Sequence, residues 1–197
     1  LLDGNFFRSE GETFFNFYLP TYAGVDQSTG QSMWYVYQEN EETGELERVT
    51  TTNYSEASAN GREIQGDAIP DLYGGFGTSL SWKGLDFSVN FTYQLGGQVY
   101  DSGYAFFMKS PTGTSTGSTY HRDLWNSWTP ENTNTDIPRM SYGDSYSNGA
   151  SDRFLTSASY LNFQNVTLGY TLPSRITRKF LVESLRIYAT CENVWYW

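Results

Sequence analysis

Apolar and polar residues alternate most regularly between Gly75 and Leu95. Phe76, Thr78, Leu80 and Trp82 alternate with Gly77, Ser79, Ser81 and Lys83. Past Gly84, the residues Leu85, Phe87, Val89, Phe91, Tyr93 and Leu95 alternate with Asp86, Ser88, Asn90, Thr92 and Gln94. A period of two is the signature of a strand, because successive side chains point to opposite faces. Lys83-Gly84 predicts a two-residue hairpin turn, with glycine free to take positive φ. In that register Trp82 faces Leu85, so the hairpin presents one apolar face and one polar face.

The same period predicts a long strand over about Ser157–Leu172, ended by Pro173, which cannot donate to a ladder. Val166, Leu168, Tyr170 and Leu172 share one face, whereas Leu161 and Phe163 fall on the opposite phase. A β-bulge between Phe163 and Val166 reconciles them. The alternative is that the upper strand packs on loops. A further strand is expected over Leu185 to about Asn193, and an earlier one over Thr13–Thr21 with Phe15, Phe17 and Leu19 on one face. Ser32–Tyr37 and Leu46–Thr51 read as a small hairpin with Asn40–Glu45 at its tip.

Strand length narrows what covers the apolar face. Leu85–Leu95 would extend roughly 36 Å at about 3.3 Å per residue. Tilted by about 40°, it would rise roughly 28 Å, close to the hydrocarbon thickness of a bilayer. Trp82 at the turn and Tyr93 near the far end suit two interfacial aromatic girdles. The connections are unequal: Lys83-Gly84 and Pro173–Ser184 are short, while Tyr22–Tyr73 and Val99–Ser151 are long. With strands numbered in order, the long loops share one end of the sheet. Short periplasmic turns and long extracellular loops are the asymmetry of an outer-membrane barrel, with Lys83-Gly84 toward the periplasm.

Composition agrees. Aromatic residues are 18% of the 197 residues and charged residues 17%, so the polarity rests on Ser, Thr, Asn, Gln and Gly. The net charge of −10 leaves no basic patch for nucleic acid. Mean hydropathy is −0.53, and no apolar stretch is long enough for a transmembrane helix, which does not bear on half-apolar β-strands. The lone Cys191 forms no intramolecular disulfide and reads as a small apolar residue. The opening Leu1-Leu2-Asp3-Gly4 and the closing Trp195-Tyr196-Trp197 read as cuts through a longer protein.

Several strings resemble the SusC/RagA family of TonB-linked outer-membrane proteins of Bacteroidetes. They are Gly66–Thr78, Trp82–Ser88 and Gly96–Asp101; Trp128–Asn132 with Asn134–Arg139; Ser159–Leu161, Asn165–Pro173 and Leu185–Tyr188; and Ala23–Asp26 with Thr29-Gly30 and Trp34-Tyr35. The motifs run in family order over nearly the whole chain. The resemblance implies that residues 1–197 are the C-terminal part of a roughly 22-stranded transmembrane β-barrel with long extracellular loops. It further implies TonB-dependent import of a large nutrient, most often a glycan and in some members a peptide. A SusD-like surface lipoprotein and TonB would be partners, and outer-membrane lipid the surroundings. TonB box, plug domain, most of the barrel and a final strand are expected to lie outside this sequence. Five or so strands cannot close such a barrel.

Candidate chemistry is that of binding. Tyr100, Tyr104, Trp125 and Trp128, in the second long loop, could stack on sugar rings, or pack the loop on itself or against a lid. Asp101, Asp123, Glu131, Asp136, Asp144 and Asp152 offer oxygen ligands but match no calcium-loop spacing and read as solvated acids. His121 is the only histidine, no nucleophile elbow is present, and no cofactor motif appears. Gly74, Gly75 and Gly77 are not a phosphate loop, since a strand follows them. They are expected to ease strand entry beside a crowded interior. The competing readings are a secreted β-sandwich carbohydrate-binding module, which would cover the apolar face with a second sheet, and a glycoside hydrolase using two loop carboxylates.

Overall fold

The alternating segments form strands, and their order along the chain sorts them into two units. The computed structural model describes residues 2–111, 119–144, 146 and 148–197. Its strands are β1 (Leu2–Asp3), β2 (Phe6–Phe7), β3 (Asn16–Pro20), β4 (Tyr22–Val25), β5 (Ser32–Glu39), β6 (Leu46–Thr51), β7 (Arg62–Asp67), β8 (Leu72–Trp82), β9 (Leu85–Leu95), β10 (Gln98–Tyr100), β11 (Leu155–Ser157), β12 (Tyr160–Thr171) and β13 (Arg186–Tyr196). Its α-helices are α1 (Tyr54–Asn60), α2 (Ser102–Phe107) and α3 (Ser174–Thr177). One compact unit comprises Leu1–Ala68 and Gln98–Thr156; the other comprises Ile69–Gly97 and Ser157–Trp197.

The second unit is one antiparallel sheet in the order β13-β12-β9-β8. Its strands are 11, 11, 12 and 11 residues long in chain order, about twice the usual strand. The β8–β9 turn has φ of 49° at Lys83 and 87° at Gly84, the two positive values of a type I′ turn. A Cβ on Gly84 would lie 2.6 Å from the Thr171 carbonyl oxygen, so the position also excludes a side chain.

Register lines up the faces across all four strands. Trp82, Leu85, Tyr170 and Ile187 form one rung; Thr78, Val89, Val166 and Cys191 form another; Phe76, Phe91, Phe163 and Trp195 a third. Phe91 stacks on both Phe76 and Phe163, with centroids 4.9 Å apart in each case. The bulge expected between Phe163 and Val166 is present, as a register shift between Phe163 and Asn165. It returns Phe163 to the apolar face. β13 slips at the same level, where Asn193 takes φ of 51°, a left-handed conformation that Asn tolerates. Leu72, Phe76, Leu80, Trp82, Leu168 and Ile187 are all exposed on this face. This unit contains no second sheet over it, as a β-sandwich would require.

The strand expected over Thr13–Thr21 is corrected. Only Asn16–Pro20 is extended, and it belongs to another sheet, β1-β2-β3-β7, in the first unit. Apolar side chains on both of its faces explain this. Asn16, Phe17, Leu19 and Pro20 are all buried, the mark of a strand enclosed on both sides. The long sheet therefore has four strands from this chain rather than five, and among the described residues no sheet closes on itself.

The expected small hairpin is present as β5–β6, pairing Trp34 with Thr51 through Glu39 with Leu46. β4 adds to it. Trp34, Val36 and Ala57 form its core with Tyr22, Val49 and Tyr54, and Trp34 meets Tyr54 edge-on at 5.2 Å. Ala57 comes from α1, which is capped by Asn53, whose side chain accepts from the Ser55 N–H. A second core of Met108, Leu124, Ile137 and Phe154 holds the chain around α2 and the 3-10 helix Arg122–Asn126.

Candidate functional site

Within the first unit, a cleft of about 570 Å³ opens between two stretches far apart in sequence. One wall is Ala23, Gly24, Val25 and Gln27; the other runs from Asn126 through Asn132, Asn134, Thr135 and Asp136 to Ile137. The two walls are tied together. Trp128 Nε1 donates to the Gln27 carbonyl at 3.2 Å, the Tyr22 hydroxyl to the Asp136 carbonyl at 2.9 Å, and the Arg139 N–H to the Gly30 carbonyl at 2.8 Å. Gly30 has φ of 73°, and a Cβ there would sit 2.4 Å from the Trp128 ring, so the indole lies flush on the turn. Asn132 Nδ2 donates to the Asn126 carbonyl at 3.2 Å, and the Thr135 hydroxyl to the same carbonyl at 2.7 Å. The volume is that of a ligand site, but the lining of amides and a hydroxyl is more polar than usual.

Burial sets the electrostatics beneath this cleft. The Asp152 carboxylate accepts the Tyr22 N–H at 2.7 Å, and desolvation pushes its pKa up. Burial likewise raises the Tyr22 hydroxyl, against the pull of Arg153, whose guanidinium lies 5.1 Å from the Tyr22 ring. Within the Ala23–Gln27 wall, Asp26 accepts from the Thr29 hydroxyl at 2.6 Å and the Ser28 N–H at 2.9 Å. These bonds lower its pKa to about 2.

The polar face of the long sheet is a second ordered array. Asn90 Nδ2 donates to Asn165 Oδ1 at 3.0 Å, the Thr167 and Thr190 hydroxyls meet at 2.9 Å, and Arg186 grips Asp86 with two bonds of 3.0 and 2.5 Å. A Cβ on Gly169 would lie 2.5 Å from Asp86 Oδ2, and one on Gly77 2.6 Å from the Val89 carbonyl. Glycine there admits the cross-strand pairs.

No protein-family model matches the chain. Over 188 residues it is 30% identical to TonB-dependent receptor P3 of Formosa agariphila, spanning 94% of this chain and 18% of that protein. TonB-dependent receptor P26 of the same organism is 30% identical over 135 residues, 68% of this chain and 13% of the receptor. Among solved structures, the RagAB peptide transporter superposes with a TM-score of 0.72 at 28% identity, covering 92% of this chain and 19% of that one. The chain is a SusC/RagA-like stretch of a TonB-dependent receptor. It spans less than a fifth of the length of these relatives, which are named as receptors and transporters, not enzymes.

In this receptor stretch, the four aromatic residues singled out from the sequence have separate places. Tyr100 and Tyr104 pack on the second core, each 6.1 Å from Phe154. Burial pushes the Tyr100 hydroxyl up to about 12. The Tyr104 hydroxyl donates to Asp123 at 3.1 Å. Trp128 is seated on the Gly30 turn. Trp125, beside the cleft residue Asn126, is 91% exposed. Two of the acids act locally: Asp101 caps α2 through the Tyr104 N–H at 2.7 Å, and Asp144 accepts the Tyr146 N–H at 2.9 Å. Among the described residues no cluster of three metal-ligating groups forms. His121 caps the 3-10 helix, its Nδ1 accepting the Asp123 N–H at 3.3 Å, with its ring against Tyr104. Sequence reasoning missed Gln27, Asn126 and Thr135. The signal was in hand, because the two family blocks, Ala23–Asp26 and Asn134–Arg139, are what the cleft brings together.

Proposed function

We propose that this chain is the C-terminal part of a TonB-dependent outer-membrane importer, contributing barrel wall and extracellular loops. The reading rests on one observation above all: four strands of 11 or 12 residues hold their apolar rungs in register on a single exposed face. Lipid is the medium that rewards such a face, and the opposite polar face suits a lumen. The ends of β8, β9 and β12 that lead into the first unit lie opposite the Lys83-Gly84 turn. We read the turn as facing the periplasm and the long connections as extracellular, the asymmetry of outer-membrane barrels. TonB would act through a region not in this chain, and a SusD-like lipoprotein would bind at the loops.

The cargo we assign is an oligosaccharide. Amide groups, a hydroxyl and Asp136 line the cleft, and Trp125, next in sequence to the lining residue Asn126, is a bare aromatic face, the pairing that sugars use. A peptide is the second reading, favoured by the similarity to a protein named as a peptide transporter. Detergent partitioning of the full-length gene product tests the membrane placement. Recovery in the aqueous phase without detergent would end the barrel reading. Calorimetric titration with oligosaccharide and oligopeptide pools tests the cargo, and Trp125→Ala should weaken oligosaccharide binding roughly tenfold, about 1.4 kcal/mol. Binding of peptides alone would reverse the assignment.

A further inference from the structure

The connection between β12 and β13 combines two features that are unfavourable in water. α3 continues into a 3-10 turn, Arg178–Phe180, which closes at Leu181 with φ of 59°. The Leu181 N–H donates to the Arg178 carbonyl and the Val182 N–H to the Thr177 carbonyl, both at 3.2 Å. Glycine normally occupies such a left-handed closing position, because a Cβ strains it. Here a leucine does, and it is 97% exposed. Phe180 is 74% exposed and Ile176 46%. Strain that keeps an apolar side chain outward points to a function for that side chain.

Charge is segregated to the same end of the sheet. Lys83, Arg175, Arg178, Lys179 and Arg186 lie there, five of the chain's 12 cations, with only Asp86 and Glu183 of its 22 acids. The local balance is five minus two, or +3, on a chain of −10. The apolar face ends at this level in the rung of Trp82, Leu85, Tyr170 and Ile187. Lys83 Nζ lies 4.8 Å over the Trp82 ring. Aromatic, cationic and protruding apolar groups together are the chemistry of a headgroup boundary.

We propose that residues 174–182 form an interfacial anchor for the inner leaflet. Ile176, Phe180 and Leu181 enter the boundary between headgroups and acyl chains, and Arg175, Arg178 and Lys179 bind the phosphates of anionic phospholipid. The anchor fixes the depth and tilt of the sheet at its short-turn end. It rests on the barrel reading above.

The test uses the full-length receptor in nanodiscs of phosphatidylethanolamine with phosphatidylglycerol, and native mass spectrometry of the lipid retained on gentle release. The variant R175Q/R178Q/K179Q should retain several-fold less phosphatidylglycerol. Leu181→Gly relieves the strain, so it should melt in detergent at the same temperature or higher, yet still retain less lipid. Unchanged retention in both variants, with the receptor still in the outer membrane, overturns the anchor and leaves the barrel reading standing. So does equal retention of soluble glycerol phosphate, or a periplasmic protein found crosslinked to Phe180 in place of lipid. Recovery of the wild-type receptor in the aqueous phase overturns both.

Discussion

Strands β5 and β8 alternate with the same period and meet opposite fates. In β5 the apolar side chains Trp34 and Val36 are 1% and 0% exposed, covered by α1, Tyr22 and Val49. In β8 the corresponding set, Phe76, Leu80 and Trp82, is 55%, 63% and 68% exposed. Burying such a side chain is worth roughly 1.5–3 kcal/mol, so a face left bare on four long strands needs another apolar medium. Alternation states which side chains share a face. What covers that face depends on the rest of the chain and on the solvent it evolved in.

Trp34→Ala removes the centre of the covered face. Losing a fully buried indole should cost about 3–5 kcal/mol, and limited proteolysis of the full-length receptor should then cut readily between Tyr22 and Asn60. Phe76→Ala, on the bare face, should leave that cleavage pattern unchanged. If W34A resists protease like the wild type, the first unit does not have the core described. Next in size is a test of faces. Thr78 and Ser79 are neighbours on opposite sides of β8, near the middle of the apolar rungs. Thr78→Arg should cost about 2–4 kcal/mol in urea titrations of receptor folded into lipid vesicles, the range for a cation at the bilayer midplane. Ser79→Arg should cost far less. Equal costs would mean that lipid does not touch the apolar face.

What could be read from the sequence follows from how local each rule is. The Lys83-Gly84 turn, the slip after Phe163 and the stop at Pro173 each depend on a few neighbouring residues, and all three are found in the structure. The membership of Asn16–Pro20 was not readable, because one partner strand, Arg62–Asp67, is more than 40 residues away and the nearer one, Phe6–Phe7, is only two residues long. α1 was hidden for another reason: seven residues with Ala57 as their one buried side chain carry no apolar stripe. The candidate site was half legible. Its two walls stood out as separate motifs, but their meeting depends on bonds such as Trp128 to Gln27, 101 residues apart. Tyr100 and Trp125 looked equivalent as loop aromatics, and only packing separates a core tyrosine from a bare indole.

Two turns carry the comparison to its smallest scale. The Lys83-Gly84 turn is held by backbone conformation. Gly84→Ala should cost roughly 1–2 kcal/mol, the penalty of a left-handed Cβ, with the crowding against the Thr171 carbonyl added. Thermal unfolding in detergent would measure it. The Asp26–Gly30 turn is held by a carboxylate. Its hydrogen bonds from Thr29 and Ser28 lower the Asp26 pKa to about 2, below the ordinary range of an aspartate. A depressed folded-state pKa means that the ionised group favours the folded turn at higher pH. That stabilisation is complete above pH 4 and disappears as pH falls through 2. Hydrogen–deuterium exchange of a peptide spanning residues 26–31, corrected for intrinsic rate, should therefore quicken between pH 4 and pH 2. Asp26→Asn keeps one acceptor oxygen but replaces the other with a donor, so it cannot accept from the Thr29 hydroxyl there. Its exchange should be faster at pH 4 and nearly flat across the window. A wild-type profile as flat as the variant's would show that the carboxylate does not hold this wall of the cleft.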